Sequence, residues 1–323
     1  AVIEGLVEAG LNPLPIFVAS LKDQVAAATL ETLMAEEPPA VILNATGFAV
    51  SAPGQDRTAG PFDIEGAPPV LQIVFSGGDE EAWRDGARGL SARDIAMNVA
   101  LPEVDGRVLT RAVSFKGSVR RDPLTETDMV RYEPVADRVR YVSELAAAWA
   151  ALRDTAEADR RIALVLANYP NRDGRLGNGV GLDTPAGAVE LFGALKKAGY
   201  SITDIPAGGD ALIDLVMAGP TNAFENLDNR DISETLAIAD YQIFFGALPK
   251  AVRNAVTDRW GAPEADPFFR SCEVDCGHFA VPAFRLDNVA VCLQPARGYN
   301  IDPKETYHDP DLVPPHNYLA FYA

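Results

Sequence analysis

The chain has 323 residues, 48% hydrophobic and 23% charged, which excludes disorder, collagen and coiled coil as overall descriptions and suggests about two domains. Its 28 Lys and Arg against 46 Asp and Glu leave a formal charge of -18, which argues against a broad nucleic-acid surface or an anionic-membrane partner. No apolar stretch reaches the ~20 residues needed to span a bilayer.

Val2, Ile3, Leu6 and Val7 form a helical stripe that Gly10 ends. Leu14 to Val18 reads as a strand. Ser20 and Asp23 have capping-box spacing ahead of a helix that Pro38 and Pro39 stop. Ala40 to Thr46 and Val70 to Phe75 are short apolar runs of buried-strand type. A long Gly- and Pro-rich loop separates them. After Ser76-Gly77-Gly78-Asp79 a helix is predicted, then a strand at Asn98 to Leu101 closed by a turn in LPEVDG (101–106). Residues 107–134 read as a connector. A helix over 137–153 leads to a buried strand at 161–167.

The best-punctuated element follows. Asp183 or Thr184 caps, Pro185 suits the first turn, Lys196 and Lys197 sit at the cationic end, and Gly199 terminates. Tyr200 to Ile205 is predicted to return as a strand, then a helix over 209–218. Tyr241 to Phe245 reads as a strand, 249–261 as a helix, and 279–286 with 289–293 as a hairpin turning at Asp287 and Asn288. The pattern predicts an α/β fold of two doubly wound, mostly parallel strand-helix units, residues 1–135 and 136–323. A C-terminal β-hairpin and an irregular segment complete the second. A first helix with no strand before it, and an apolar run at the far end, read as a segment of a longer polypeptide.

Chemistry concentrates in the strand-to-helix loop 168–183. Its glycines let main-chain N–H groups approach a ligand, the helix N-terminus adds a positive dipole end, and Arg172 and Arg175 add carboxylate-matching forks. This predicts a polyanion site made by Arg172, Arg175, Gly177, Asn178 and Gly179. A loop with no ligand remains the other reading. No GxxxxGK[ST] string occurs, so the chain carries no P-loop for ATP. Cys272, Cys276 and His278 have ligand types for a soft divalent metal. No second pair completes them, and with Cys292 they read as buried thiols in a reducing cytoplasm. His308 and His316 lie among Asp302, Glu305, Asp309 and Asp311, residue types suited to divalent metal or proton transfer, although a solvated acidic loop has the same composition. Glu103 and Asp105 are a carboxylate pair that Asp-Gly turn chemistry alone can explain.

Two long strings, ANYPNRDGRLGNGVGLDTP (167–185) and QPARGYNIDPKETYHDPDLVPPHNYLAFY (294–322), resemble the cobaltochelatase large-subunit family. LPEVDG and NATGFAV (44–50) are shared in form with its relative, the magnesium chelatase large subunit. The resemblance implies ATP-dependent insertion of cobalt(II), the substrate metal, into hydrogenobyrinic acid a,c-diamide in cobalamin biosynthesis. It implies a large subunit that holds the tetrapyrrole in the cytoplasm. ATP and magnesium would be used by AAA+ and accessory partner subunits, with no nucleic acid and no membrane involved. The family's HxGxHG-type string is absent, which implies that this segment alone is inactive. Arg172 and Arg175, with the amides near Gly177 and Gly179, would clamp the substrate's carboxylates. His308 or His316 would hand over metal or take a proton, as would Glu103. Two rivals remain: a magnesium chelatase-type porphyrin binder, and a non-catalytic scaffold that docks the ATPase partners.

Overall fold

The apolar run at 70–76 becomes an inner strand of a four-stranded sheet in the computed structural model. The structure describes residues 1–323 except 53, 55–58, 65, 87, 170, 272–276, 300–308 and 310, and omits the side chains of 118–120 and 224–226. The chain divides into two compact units, Ala1–Thr155 and Ala156–Ala323.

In the first unit, β1 (Ile42–Asn44), β2 (Val70–Ser76) and β3 (Val108–Arg121) run parallel, and β4 (Asp128–Pro134) returns antiparallel on β3. Strand alternation decides what each face meets. Leu71, Ile73 and Val113 pack on α1 (Val2–Glu8) and α6 (Ala136–Asp154) through Leu6, Val139, Val142 and Ala146. Val74, Ala112 and Phe115 face the other way, against Trp83 of α3 (Glu80–Asp85) and Val99. Helices thus cover both faces. A further helix, α2 (Gln24–Glu36), is capped by Asp23, not Ser20. Because α6 packs on this sheet, the units part at Thr155, whereas the predicted boundary at 135/136 would give α6 to the second.

Three elements here differ from expectation. Leu14 to Val18 is no strand: Pro13 and Pro15 remove ladder donors, and Phe17 is 95% exposed. Residues 98–101 are helical. Ser91 caps α4 (Ala92–Ile95) by accepting from the Asp94 amide, and a π turn (Ala96–Ala100) carries the helix into α5 (Leu101–Val104). The supposed connector is the long β3–β4 hairpin, with Asp122 accepting from the Leu124 and Thr125 amides in its turn.

The second unit holds two three-stranded sheets. In one, β5 (Ile162–Leu166) pairs in parallel with β10 (Val289–Leu293), and β9 (Ala283–Leu286) forms the expected hairpin with β10. The sheet is covered by α7 (Thr184–Lys197) and α8 (Gly209–Ala218) through Ala188, Phe192, Leu212 and Val216. Residues 200–205 form no strand, so the parallel neighbour of β5 comes from far along the chain. β5 itself is half-buried, with alternate residues outward. In the other sheet, β6 (Glu234–Ala237) and β7 (Phe269–Ser271) flank β8 (Gly277–Val281), all antiparallel. Its core joins α9 (Ile238–Ala247) and α11 (His316–Tyr322) through residues such as Tyr241, Phe268, Phe279 and Ala320, and α10 (Lys250–Trp260) lies between them in sequence with Val256 fully buried. The predicted strand 241–245 is α9: Tyr241 is fully buried while Ile243 is 75% exposed, which breaks the period of two.

Candidate functional site: the loop at the carboxyl ends of β5 and β10

The chain leaves β5 at Ala167 and enters α7 at Thr184. Asp183 caps α7, accepting from the Ala186 amide at 3.1 Å, and Pro185 has no N–H to offer. The positive end of α7 therefore already holds this chain's own carboxylate. Within the loop, Gly177 N–H donates to the Ala167 carbonyl at 2.7 Å and Asn178 N–H to Arg175 at 3.3 Å. A tight turn from Gly179 to Leu182 closes through Leu182 N–H, with Gly181 at φ +77°, a value few other residues adopt. Gly177 and Asn178 spend their amides on the loop itself, which corrects their expected place as ligand donors.

What the loop presents is side chains. Arg172 and Arg175 are exposed, and neither guanidinium makes a hydrogen bond or ion pair among the described residues. Val180 is wholly exposed and Leu182 66% exposed beside them. Asp173, between the arginines, is anchored inward by Arg230 and Thr221, both at 2.7 Å. The exit of β10 is tied to the same loop by Asn222. Its Nδ2 donates to Asn168 Oδ1 at 2.7 Å and to the Gln294 carbonyl at 3.0 Å, and its Oδ1 accepts from Ala296 N–H at 2.9 Å. Asn168 in turn donates to the Arg172 carbonyl. Ligands of α/β sheets bind at the carboxyl ends of parallel strands, and these bonds anchor there the stretch of loop backbone that carries Arg172 and Asp173. Sequence reasoning missed Asn222, because an isolated amide after Pro220 carries no periodic signal.

His316 is not poised for metal. It is fully buried, with Nε2 donating to the Gly261 carbonyl at 3.0 Å and Nδ1 against the Tyr241 hydroxyl at 2.6 Å. Both ring nitrogens are spent, so the imidazole joins α9, α10 and α11, and this corrects its expected role in metal or proton transfer. Next to it, Asp266 accepts from the Phe268 and Asn317 amides and the Tyr299 hydroxyl. Burial holds the Asp266 carboxyl above the ordinary carboxylate range, despite those bonds. A raised folded-state value means stability that is present at low pH and is lost as pH rises through it. Asp266→Asn is expected to lower overall stability by about 1–3 kcal/mol and to flatten that decline. Denaturation midpoints between pH 4 and 7 check both. His308, with Cys272 and Cys276, lies outside the described residues. Cys292 is half-buried, and burial pushes its thiol up. Among the described residues no cluster of three His, Cys, Asp or Glu is placed to hold a metal.

In the first unit, LPEVDG and NATGFAV are parts of one device. Asp105 Oδ2 and Oδ1 accept from the Val50 and Ser51 amides at 2.7 and 3.0 Å. Arg107 bridges Asp105, at 2.7 Å, to the Thr46 carbonyl, at 3.2 Å. Gln72 reaches the same carbonyl and accepts from Asn44. Glu103 stands exposed on α5, with no side-chain hydrogen bond among the described residues. The carboxylate that matters structurally in LPEVDG is thus Asp105. No helix described is long and apolar enough to cross a membrane.

The fold is α/β, with an arginine-bearing loop at the carboxyl ends of its parallel strands. The whole chain, residues 1–323, matches the CobN/magnesium chelatase family, and it belongs to that family. It is 55% identical over its full length to aerobic cobaltochelatase subunit CobN of Sinorhizobium sp, covering 25% of that protein, and 47% identical to the Pseudomonas aeruginosa CobN, again covering 25%. Magnesium-chelatase subunit ChlH of Oryza sativa is 24% identical across the whole chain and is covered over 22% of its length. The catalytic subunit of cobaltochelatase from Mycobacterium tuberculosis superposes with a TM-score of 0.78 at 32% identity, over 99% of this chain and 26% of that one. The chain thus spans about a quarter of the length of these relatives.

Proposed function

We propose that this chain is the tetrapyrrole-gripping segment of a cobaltochelatase large subunit, acting in the cytoplasm on hydrogenobyrinic acid a,c-diamide with cobalt(II) as substrate metal. The observation that carries this reading is the pair of exposed guanidiniums, Arg172 and Arg175, without a partner among the described residues, in the same loop as exposed Val180 and Leu182. A corrin precursor has a flat apolar ring rimmed by carboxylates, and it needs both kinds of contact. The cobalt branch is favoured over the magnesium branch by the much higher identity to the CobN proteins. ATP hydrolysis is assigned to AAA+ partner subunits, since the sequence has no P-loop.

Insertion exchanges two ring N–H protons for one divalent cation. The chain's part is to orient the ring and fix its acid arms. With both nitrogens of His316 engaged, exposed carboxylates such as Glu103 are the proton acceptors to test, and His308 stays the histidine to test for metal delivery. The scaffold reading rests on a different feature, the exposed β3–β4 hairpin, where Leu124 is 92% exposed and Met129, Val130 and Tyr132 about half.

The test is a spectral titration with hydrogenobyrinic acid a,c-diamide, with protoporphyrin as comparison. Arg172→Ala with Arg175→Ala is expected to weaken corrin binding by tenfold or more per arginine, since each charge-assisted bond contributes about 1.5–3 kcal/mol. Unchanged affinity removes the clamp. Preference for protoporphyrin moves the chain to the magnesium branch. No binding of either ring leaves the scaffold reading.

A further inference from the structure

We infer that Arg230 is a positioning residue for the anion grip. It acts through Asp173, drawing that carboxylate inward so that Arg172 and Arg175 stay free to meet an acid arm. The role presupposes the ligand proposed above, and all of its parts lie in the second unit.

Residues 168–183 carry two arginines, Arg172 and Arg175, and two aspartates, Asp173 and Asp183. Their formal charges cancel, so in a chain of charge -18 the bare composition of this stretch does not attract an anion. Simple electrostatics even offers the guanidiniums a partner at once. The α-carbons of Arg172 and Asp173 are one peptide, ~3.8 Å, apart, and opposite charges at short range attract. The structure does not take that local solution, because both carboxylates are spent elsewhere. Asp183 caps α7 through the Ala186 amide, where the helix dipole offsets its charge. Asp173 opens a short 3-10 turn (Asp173–Arg175), which Arg175 N–H closes on the Arg172 carbonyl at 2.9 Å. From that turn its two oxygens reach Thr221 Oγ1 and the Arg230 guanidinium, each at 2.7 Å.

Arg230 is itself held in place. Its side chain is 13% exposed, and the other prong of its fork donates to the Met217 carbonyl. That carbonyl lies in the last turn of α8, where a helix favours a cation. Anchored at both prongs, Arg230 cancels the charge of Asp173 without adding to the exposed cationic surface. Two guanidiniums are thus left outward with no partner among the described residues, while each neighbouring carboxylate has one. This separation of charge gives up an attraction available inside the loop, and an anionic arm from outside restores it.

The experiment titrates the intact protein with hydrogenobyrinic acid a,c-diamide at low and high salt, and records the thermal midpoint of each variant. Arg230→Gln keeps a donor for Asp173 but leaves its charge uncancelled. It is expected to weaken binding about fivefold at low salt, with the loss shrinking as salt screens it. Arg230→Lys keeps the charge and is expected to retain most of the affinity. Arg230→Gln/Asp173→Asn restores a neutral hydrogen-bonded pair, and its affinity is expected to return close to wild type. A double variant that binds as weakly as Arg230→Gln, with a loss that salt does not change, would show a purely structural brace and overturn the inference. Wild-type affinity in Arg230→Gln, with binding lost in Arg172→Ala/Arg175→Ala, overturns it too and leaves the proposed function standing. Unchanged affinity in Arg172→Ala/Arg175→Ala, or a wild-type protein that binds no corrin, removes the proposed function and this inference with it.

Discussion

Arg107→Ala is expected to destabilise the first unit by about 3–5 kcal/mol, the range for removing one partner of a buried ion pair. The arginine side chain is 2% exposed and the Asp105 side chain 11%. Without the guanidinium, a carboxylate stays buried and the Thr46 carbonyl loses a donor. The pH dependence has a definite sign. Burial alone would raise the Asp105 carboxyl, but the Ser51 and Val50 amides and Arg107 outweigh it and hold the group below its ordinary value. A lowered folded-state value contributes stability above the unfolded value and loses it as pH falls through the folded one. Arg107→Ala removes one source of the lowering, so acid unfolding of this unit should begin at higher pH. Trp83 and Trp149 report the first unit and Trp260 the second, so urea titrations in a Trp260→Phe background isolate the effect. A loss under 1 kcal/mol would mean that the network does not hold the Thr46–Ser51 loop.

Asn222→Ala should cost the second unit about 3 kcal/mol, because it strands the Asn168 amide oxygen, the Gln294 carbonyl and the Ala296 N–H in a buried place. Asn222→Asp should do no better, since it puts an oxygen against two oxygens that need a donor. Both variants should also weaken corrin binding, because Asn168 holds the carbonyl of Arg172. Following Trp260 in a Trp83→Phe/Trp149→Phe background measures the stability. Corrin affinity equal to wild type in a folded Asn222→Ala protein would separate the network from the ligand.

Elements whose signals are local were legible in the sequence. Asp183, Pro185 and Gly199 punctuate α7, and the apolar run 70–76 is short enough to be a strand. Elements decided by distant partners were not. Tyr200 to Ile205 has strand-like composition but forms no strand, and the parallel neighbour of β5 is β10, more than a hundred residues on. Val99 to Leu101 and Tyr241 to Phe245 are short apolar runs, and periodicity cannot separate strand from buried helix at that length. At the site, the arginines could be read from their type and spacing. The fate of Gly177 N–H depends on how the irregular loop folds back on Ala167, and the engagement of both His316 nitrogens and the bracing role of Asn222 depend on residues dozens of positions away.

The pairing of β5 with β10 sets the order in which this protein can be made. Leu166 lacks its parallel partner until Leu293, 127 residues later, has left the ribosome, and the completed α7 and α8 wait for β10 through a further 96 and 75 residues of synthesis. Such long-range closure is slow and exposes sticky surface. The first unit has its sheet and flanking helices in place by Thr155, and nascent chains stalled between the two points would carry one finished fold and one that chaperones must shelter.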